Sequence, residues 1–95
     1  NWANIDNNGS VSVSINVTVS NTTNWTAATM PGHNQFNISI YTGIDWLIMD
    51  TTEKVFITNL GYNQDQDFGL QLFMPTSTET NTNQIATITF VATAD

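Results

Sequence analysis

The chain has 95 residues, the size of one small domain with one hydrophobic core, so we expect residues 1–95 to form a single domain. It contains no cysteine, which excludes disulfides and cysteine-ligated zinc. Eight acidic residues against a single basic one give a net charge of -7, and this balance excludes binding to nucleic acid or to an anionic membrane surface. No apolar run has the length of a membrane span.

The first 20 residues predict a short opening segment and then a long strand. Trp2 and Ile5 can anchor the opening segment, and Asp-Asn-Asn-Gly at residues 6–9 is a turn signal. Residues 10–20, SVSVSINVTVS, alternate apolar and polar side chains, which is the period of a β-strand. The apolar row predicted to be buried is Val11, Val13, Ile15, Val17 and Val19. The polar row predicted to face solvent, a sugar or a partner is Ser12, Ser14, Asn16 and Thr18.

The rest of the chain predicts further strands and no helix. A loop rich in Asn and Thr at residues 21–34 precedes strands at residues 35–42, 44–49, 54–60, 68–74 and 84–93. Within residues 44–49, Trp46 and Ile48 share a face, which we expect to be the buried one. Six or seven strands with turns at this spacing predict an all-β fold, an antiparallel β-sandwich.

Several stretches resemble the immunoglobulin-like modules of archaeal and bacterial surface proteins. They are SINVTVSNTTNW, VFITNLG, LQLFMP and the final ATITFVATA. The resemblance is one of pattern over the whole chain, and it implies an immunoglobulin-like β-sandwich. The group includes stacked modules of envelope proteins and pilus-like fibre subunits, such as archaeal threads, that polymerise by lending a strand to the next subunit.

The two terminal strands carry no charge. Between Asp6 and Asp45 there is no Asp, Glu, Lys or Arg, and residues 80–94 are uncharged. Soluble proteins usually protect exposed strand edges with charges, proline or bulges. The unprotected strands therefore predict pairing between copies of the chain, with residues 1–20 as a possible donor segment. We predict a structural subunit of an extracellular surface assembly, either a filament or a surface layer.

Five Asn-X-Ser/Thr acceptors for N-linked glycans occur, at Asn8, Asn16, Asn21, Asn24 and Asn37. With 13 Asn and 22 Ser or Thr in the chain, chance alone would give about three acceptors. Asn16 and Asn37 lie on the predicted outward faces of their strands. We expect glycans at these acceptors and an extracellular location, with ordinary polar strand and turn residues as the alternative interpretation.

Residues that could carry chemistry are few. His33 has no second His and no Cys to complete a zinc site or a nucleophile pair, so we expect a solvated loop residue. Asn63, Asp65 and Asp67 place oxygen ligands at alternate positions and form a weak calcium candidate, with a solvated acidic loop as the favoured interpretation. We predict no cofactor and no enzymatic activity.

A carbohydrate-binding module of a secreted protein is the alternative function. Flat aromatic side chains stack on sugar rings, and Trp25, Tyr41 and Tyr62 are the expected exposed aromatics. A hydrolase that uses the carboxylates within residues 45–53 is a third, weaker hypothesis, because a sandwich this small rarely contains a cleft.

Overall fold

The computed structural model describes residues 2–79 and 82–95, apart from the side chain of Trp2. The strands are β1 (Trp2–Asp6), β2 (Val13–Val19), β3 (Thr26–Ala27), β4 (Gln35–Tyr41), β5 (Trp46–Met49), β6 (Lys54–Leu60), β7 (Asp65–Phe73) and β8 (Ile88–Ala94). The predicted all-β, sandwich-like fold is confirmed, with eight strands rather than six or seven because the short segments β1 and β3 also pair. Residue 1 of the predicted donor segment and residues 80 and 81 of the uncharged C-terminal stretch lie outside the described residues.

The strands form two sheets. The larger sheet has the order β1-β7-β4-β3, and β5 also pairs with β4. The smaller sheet has the order β6-β2-β8. Strand β3 runs parallel to β4, and the other pairs are antiparallel. No part of the described chain forms a helix that could cross a membrane.

The long alternating strand, β2, is the centre of the smaller sheet. Ile15, Val17 and Val19 are 3%, 0% and 1% exposed, as the alternation predicts. Val13 and the polar row between these residues are half-buried. The prediction is wrong for Val11, which is 53% exposed. The strand begins only at Val13, because Asn7 Nδ2 donates to the Val11 carbonyl at 2.9 Å and closes the preceding turn there.

The two sheets meet in an apolar core that contains a cluster of three phenylalanines. The buried core residues are Ile15, Val17, Val19, Phe36, Ile38, Ile40, Met49, Phe56, Leu60 and Phe68. Phe56 and Phe68 meet edge to face with ring centroids 5.7 Å apart, and Phe90 lies 6.0 Å from the first and 5.6 Å from the second. Because Phe68 belongs to β7, Phe56 to β6 and Phe90 to β8, this cluster joins the larger sheet to both edge strands of the smaller one.

Strand β5 is buried on the face opposite to the predicted one. Leu47 and Met49 pack in the core, whereas Trp46 is 44% exposed and Ile48 is 39% exposed. The register explains this: Leu47 lies opposite Ile40 of β4, which is 0% exposed, so the two share the inner face. The apolar run at residues 44–49 contains too few polar positions for its pattern to decide which face is buried.

Strand β7 changes its partner at Gly69. Its first half pairs with β1, ending with Gly69 opposite Trp2, and its second half pairs with β4 from Gly69 to Phe73. Trp2, the first described residue of β1, thus lies opposite the residue at which the ladder to β4 begins. Within the described residues, no strand pairs with residues 70–73 on the side away from β4.

Asn7 ties the turn after β1 to the end of β6. Its side chain is 8% exposed, and Nδ2 donates to the carbonyl oxygens of Val11 and Leu60, both at 2.9 Å. Its Oδ1 accepts from the Gly9 amide at 2.9 Å. The side chain thus bonds two backbone groups of the turn and one at the end of β6.

The domain is elongated and exposes more surface than a compact domain of its size. Its radius of gyration is 14.8 Å, whereas a compact chain of this length has about 12 Å. Its accessible surface is 6026 Å², and the scaling law for monomers gives about 5,400 Å². The excess indicates that the single chain leaves part of its inner faces uncovered.

Candidate strand-docking site

Strand β8 is an edge strand whose backbone is free along one side. Among the described strands it pairs with β2 alone, from Val13 opposite Ala94 to Val19 opposite Ile88. The Ser20 amide donates to the Thr87 carbonyl, so the hydrogen-bonded pairs of this ladder fall at the odd-numbered residues of β8. The residues whose amide and carbonyl groups point away from β2 are therefore Ile88, Phe90, Ala92 and Ala94.

The other edge strands of the described chain have features that oppose pairing with a second sheet. The β1–β7 ladder carries Asp6, Asp65 and Asp67. Strands β3 and β5 have two and four residues, and β6 begins at Lys54 and has register shifts against β2. Charges, short length and irregular register are the usual protections of sheet edges. Strand β8 has seven residues in unbroken register, with no charge, proline or glycine.

The inner face of β7 beyond Gly69 is only partly covered. Leu70 and Leu72 lie opposite Ile40 and Ile38 of β4, which are 0% and 8% exposed, so all four share the core face. Leu70 and Leu72 are nevertheless 50% and 55% exposed, and Met74 just beyond the strand is 53% exposed. The smaller sheet does not reach these side chains.

A cavity lies at the end of this uncovered stretch. Its volume is about 220 Å³, and its apolar lining comes from Trp25, Phe36, Ile38, Leu72, Met74 and Ala86. Leu72 and Met74 come from the end of β7, and Ala86 comes from the segment that leads into β8. The cavity and the exposed leucines thus form one open groove between β7 and β8, which we call the β7–β8 groove.

The β7–β8 groove is uncharged. No Asp, Glu, Lys or Arg occurs at residues 68–78 or 82–94. Phe90, which contributes to its β8 side, is 38% exposed although its partner Val17 is fully buried. An extended segment with apolar side chains on one face matches such a groove, because it buries the apolar rows and pairs the free backbone groups.

The predicted glycan acceptors differ in accessibility. Asn8, Asn21 and Asn24 are exposed, and Asn16 is half-buried with its Nδ2 donating to Glu53 Oε1 at 3.3 Å. Asn37 is 4% exposed, and its Nδ2, the atom that would carry a glycan, donates to the carbonyls of residues 28 and 29. Asn37 lies on the face of β4 opposite to Phe36 and Ile38, as predicted, but the segment after β3 covers this face, so the side chain is not accessible to a glycan.

The three predicted sugar-stacking residues are not gathered in one site. Trp25 packs against the core and its Nε1 donates to Thr78 Oγ1 at 2.9 Å. Trp25 precedes Thr26, which pairs with Gln35 at the start of β4. Tyr41 is at the other end of β4, six residues further on, so roughly 20 Å separates Trp25 from Tyr41. Tyr62 is 63% exposed in the turn after β6. Tyr41 instead contacts Trp46, with centroids 5.1 Å apart and planes tilted by 45°.

The calcium candidate brings two of its three residues together. Asp65 Oδ2 and Asp67 Oδ1 both accept from Asn4 Nδ2, at 2.8 and 2.9 Å. Asn63 lies in the preceding turn with φ of 60°. Within residues 2–79 and 82–95, no group of three or more His, Cys, Asp or Glu residues is placed to hold a metal ion.

His33 joins two loops rather than standing free in solvent. Its Nδ1 lies 2.8 Å from Ser77 Oγ, and its Nε2 lies 3.2 Å from Glu79 Oε1. Serine, histidine and glutamate in this order resemble a hydrolytic triad, but His33 and Glu79 are 53% and 85% exposed. Backbone hydrogen bonds link the same two loops, including the one from Asn34 N to Ser77 O at 2.9 Å. The contacts of His33 with Ser77 and Glu79 are therefore best explained as structural contacts that hold the two loops together.

The carboxylates near the β5–β6 turn are engaged separately. Lys54 Nζ lies 3.5 Å from Asp50 Oδ2, Glu53 accepts from Asn16, and Asp45 Oδ1 accepts from the Trp46 amide. The hydrolase hypothesis requires paired carboxylates facing a common substrate. These contacts do not bring two carboxylates together.

The sequence pattern identified β8 as uncharged but did not place it at an edge. Edge position and the partial cover of β7 depend on the order of the strands, which alternation alone does not specify. Strand β7 begins with the polar residues Asp-Gln-Asp at positions 65–67, before its apolar part. The alternation of charged residues there was the sequence signal that the strand begins before Phe68. No protein-family model, no curated protein and no solved structure matches this chain.

Proposed function

We propose that the chain is a structural subunit of an extracellular surface assembly, a filament or a surface layer, whose subunits join through β-strand pairing. The observation that carries the proposal is the unprotected edge of β8 beside the uncharged β7–β8 groove. The pattern resemblance to immunoglobulin-like modules of surface proteins agrees with it.

Strand pairing at this groove would bury apolar side chains that the single chain leaves half-exposed. Leu70, Leu72, Met74 and Phe90 are 38–55% exposed. Completing the burial of each such side chain contributes about 1 kcal/mol, roughly half of the value for full burial. Together with the backbone hydrogen bonds of an added strand, this favours association without ions or disulfides.

The extracellular location is supported by the acceptors at Asn8, Asn16, Asn21 and Asn24. Their side chains are exposed or half-buried, so a glycan at any of them leaves the core intact. Asn16 lies on the outer face of the smaller sheet, between Val55 of β6 and Val91 of β8. A glycan there would cover the outer face and leave the β7–β8 groove open.

The test is the size of the purified chain under native conditions. Sedimentation velocity and negative-stain electron microscopy are performed over a range of protein concentrations, at low salt and at 0.5 M salt. We expect species larger than a dimer whose amount changes little with salt, because the groove carries no charge. A chain that remains monomeric, or assemblies that dissolve in salt, would contradict the proposal.

A carbohydrate-binding module is the second candidate, and one observation favours it. Trp46, which is exposed, and Tyr41, which is half-buried, form an aromatic pair on the outer face of the larger sheet, beside Asp45. Aromatic faces beside a hydrogen-bonding carboxylate bind sugar rings. The test is binding of the chain to a glycan array. Binding that is lost in Trp46→Ala and kept in the control Tyr62→Ala would support this function. No binding by the wild type would contradict it.

A further inference from the structure

We infer that β8 pairs with β8 of a second copy, antiparallel and about a two-fold axis at Val91. The three-stranded sheets of the two copies then form one continuous sheet. This inference rests on the proposed function, since it names the partner and the register of one contact in the assembly.

The backbone of β8 specifies this register. Its outward amide and carbonyl groups belong to residues 88, 90, 92 and 94. A two-fold axis at Val91 places Ile88 opposite Ala94 and Phe90 opposite Ala92. Each outward group then meets an outward group of the other copy, which gives about eight backbone hydrogen bonds. An axis at Phe90 or at Ala92 leaves outward groups at one end of the strand unpaired.

The inner side chains fit the same register. Phe90 and Ile88 are the large residues of the inner row, and Ala92 and Ala94 are the small ones. The axis at Val91 sets each large side chain beside a small one, whereas an axis at Phe90 would set two phenylalanines opposite each other. Large and small side chains that alternate across facing positions pack without strain.

The outer row is also self-complementary. Thr89 lies opposite Thr93 of the second copy, and Val91 lies opposite Val91. Pairs of threonine and pairs of β-branched residues are favourable across antiparallel strands. Val91 is 39% exposed in the single chain, and its partner position is open.

The added strand also reaches the uncovered part of the larger sheet. Phe90 of β8 contacts Phe68 of β7, and Ala86, just before β8, shares a cavity with Leu72 and Met74, so a strand added at the free edge of β8 lies near this part of β7. Leu70 and Leu72 are half-exposed on that inner face. The second copy therefore adds cover to both sides of the β7–β8 groove.

The net charge of -7 does not oppose this contact. Residues 82–94 are uncharged, and Asp95 accepts from Ser14 Oγ of its own chain at 2.6 Å. In the antiparallel register the two Asp95 residues lie at opposite ends of the strand pair, roughly 25 Å apart. At physiological salt this distance exceeds the Debye length of about 8 Å, so their repulsion is screened.

A two-fold contact closes at two copies, so a filament or layer requires a further contact elsewhere. The experiment can therefore separate the two proposals. If the wild-type chain forms dimers and nothing larger, the β8–β8 contact is retained and the proposal of a larger assembly is refuted. If a larger assembly still forms with a charge at residue 91, the β8–β8 contact is refuted and the proposal of an assembly is retained.

The test places charge at the two-fold axis, with a matched control on the opposite edge. Val91→Lys puts two lysines opposite each other, whereas Val55→Lys places the same charge on the outer face of β6. Val55 and Val91 flank Asn16 on either side of β2 and are 61% and 39% exposed, so neither change disturbs the core. Circular dichroism and thermal melting check that both variants fold.

We expect sedimentation velocity to show that Val91→Lys weakens the pairwise association by about tenfold or more, and that Val55→Lys leaves it unchanged. Mixing Val91→Lys with Val91→Glu should restore association, because only an axis at residue 91 brings the opposite charges together. Association by Val91→Lys equal to that of the wild type, equal weakening by Val55→Lys, or failure of the mixture to associate would each overturn the inference.

Discussion

Truncation of two neighbouring side chains measures whether the β7–β8 groove is open. Ile40 and Leu70 lie directly opposite each other on the inner face of the larger sheet, yet they are 0% and 50% exposed. The changes Ile40→Ala and Leu70→Ala remove the same number of carbon atoms from one layer of the core. They differ mainly in how completely the lost atoms are enclosed.

The enclosed position should be much more costly. Ile40→Ala leaves a cavity and should lower the free energy of unfolding by about 2–5 kcal/mol. Leu70→Ala loses roughly half of a transfer term and leaves no closed cavity, so it should lower this free energy by about 1 kcal/mol. For a domain of this size each kcal/mol corresponds to about 4–8 °C in Tm.

Urea unfolding at a protein concentration where the chain is monomeric gives both values. The denaturant slope should remain that of the wild type, which shows that the denatured state is unchanged. A loss for Leu70→Ala as large as that for Ile40→Ala would refute the reasoning, because it would mean that Leu70 is fully enclosed and that no groove exists.

Two further predictions concern asparagines with different roles. Asn7→Ala removes hydrogen bonds to Val11, Leu60 and Gly9, so it should lower the free energy of unfolding by about 2–3 kcal/mol. The control Asn8→Ala changes an exposed neighbour and should change the melting temperature little. Peptide mapping of the chain from its native source should find hexose-type mass increments on at least one accessible acceptor and none on Asn37. A glycan on Asn37 would break the hydrogen bonds from its side chain to residues 28 and 29. A chain without glycans, or a glycan on Asn37, would contradict this prediction.

Strand positions were predictable wherever polar and apolar residues alternate. The pattern located β4 within one residue and β6 at its observed bounds, Lys54–Leu60. The pattern did not predict which face of β5 is buried. The four residues of this strand, Trp46 to Met49, are all apolar, so they show no alternation that distinguishes one face from the other. It also placed Val11 in the core, since the alternation continues into a turn that only the contact from Asn7 reveals.

The candidate site was predictable only in part. The absence of charge from the C-terminal strand is a property of the sequence, and it suggested pairing between subunits. Which strands lie at an edge, and that Leu70 and Leu72 remain half-exposed, depends on the order of the strands in the two sheets. Such relations between distant segments are not encoded in local periodicity.

Amide hydrogen exchange along β8 tests the central claim, that its free edge recruits a second strand, most directly. In the Val91→Lys variant, at a concentration where it is monomeric, amides of residues 88, 90, 92 and 94 should exchange rapidly, and those of residues 89, 91 and 93, which bond to β2, should exchange slowly. In the wild type at assembling concentrations, we expect both sets to be slow. Alternating protection that persists in the assembled wild type would contradict the account.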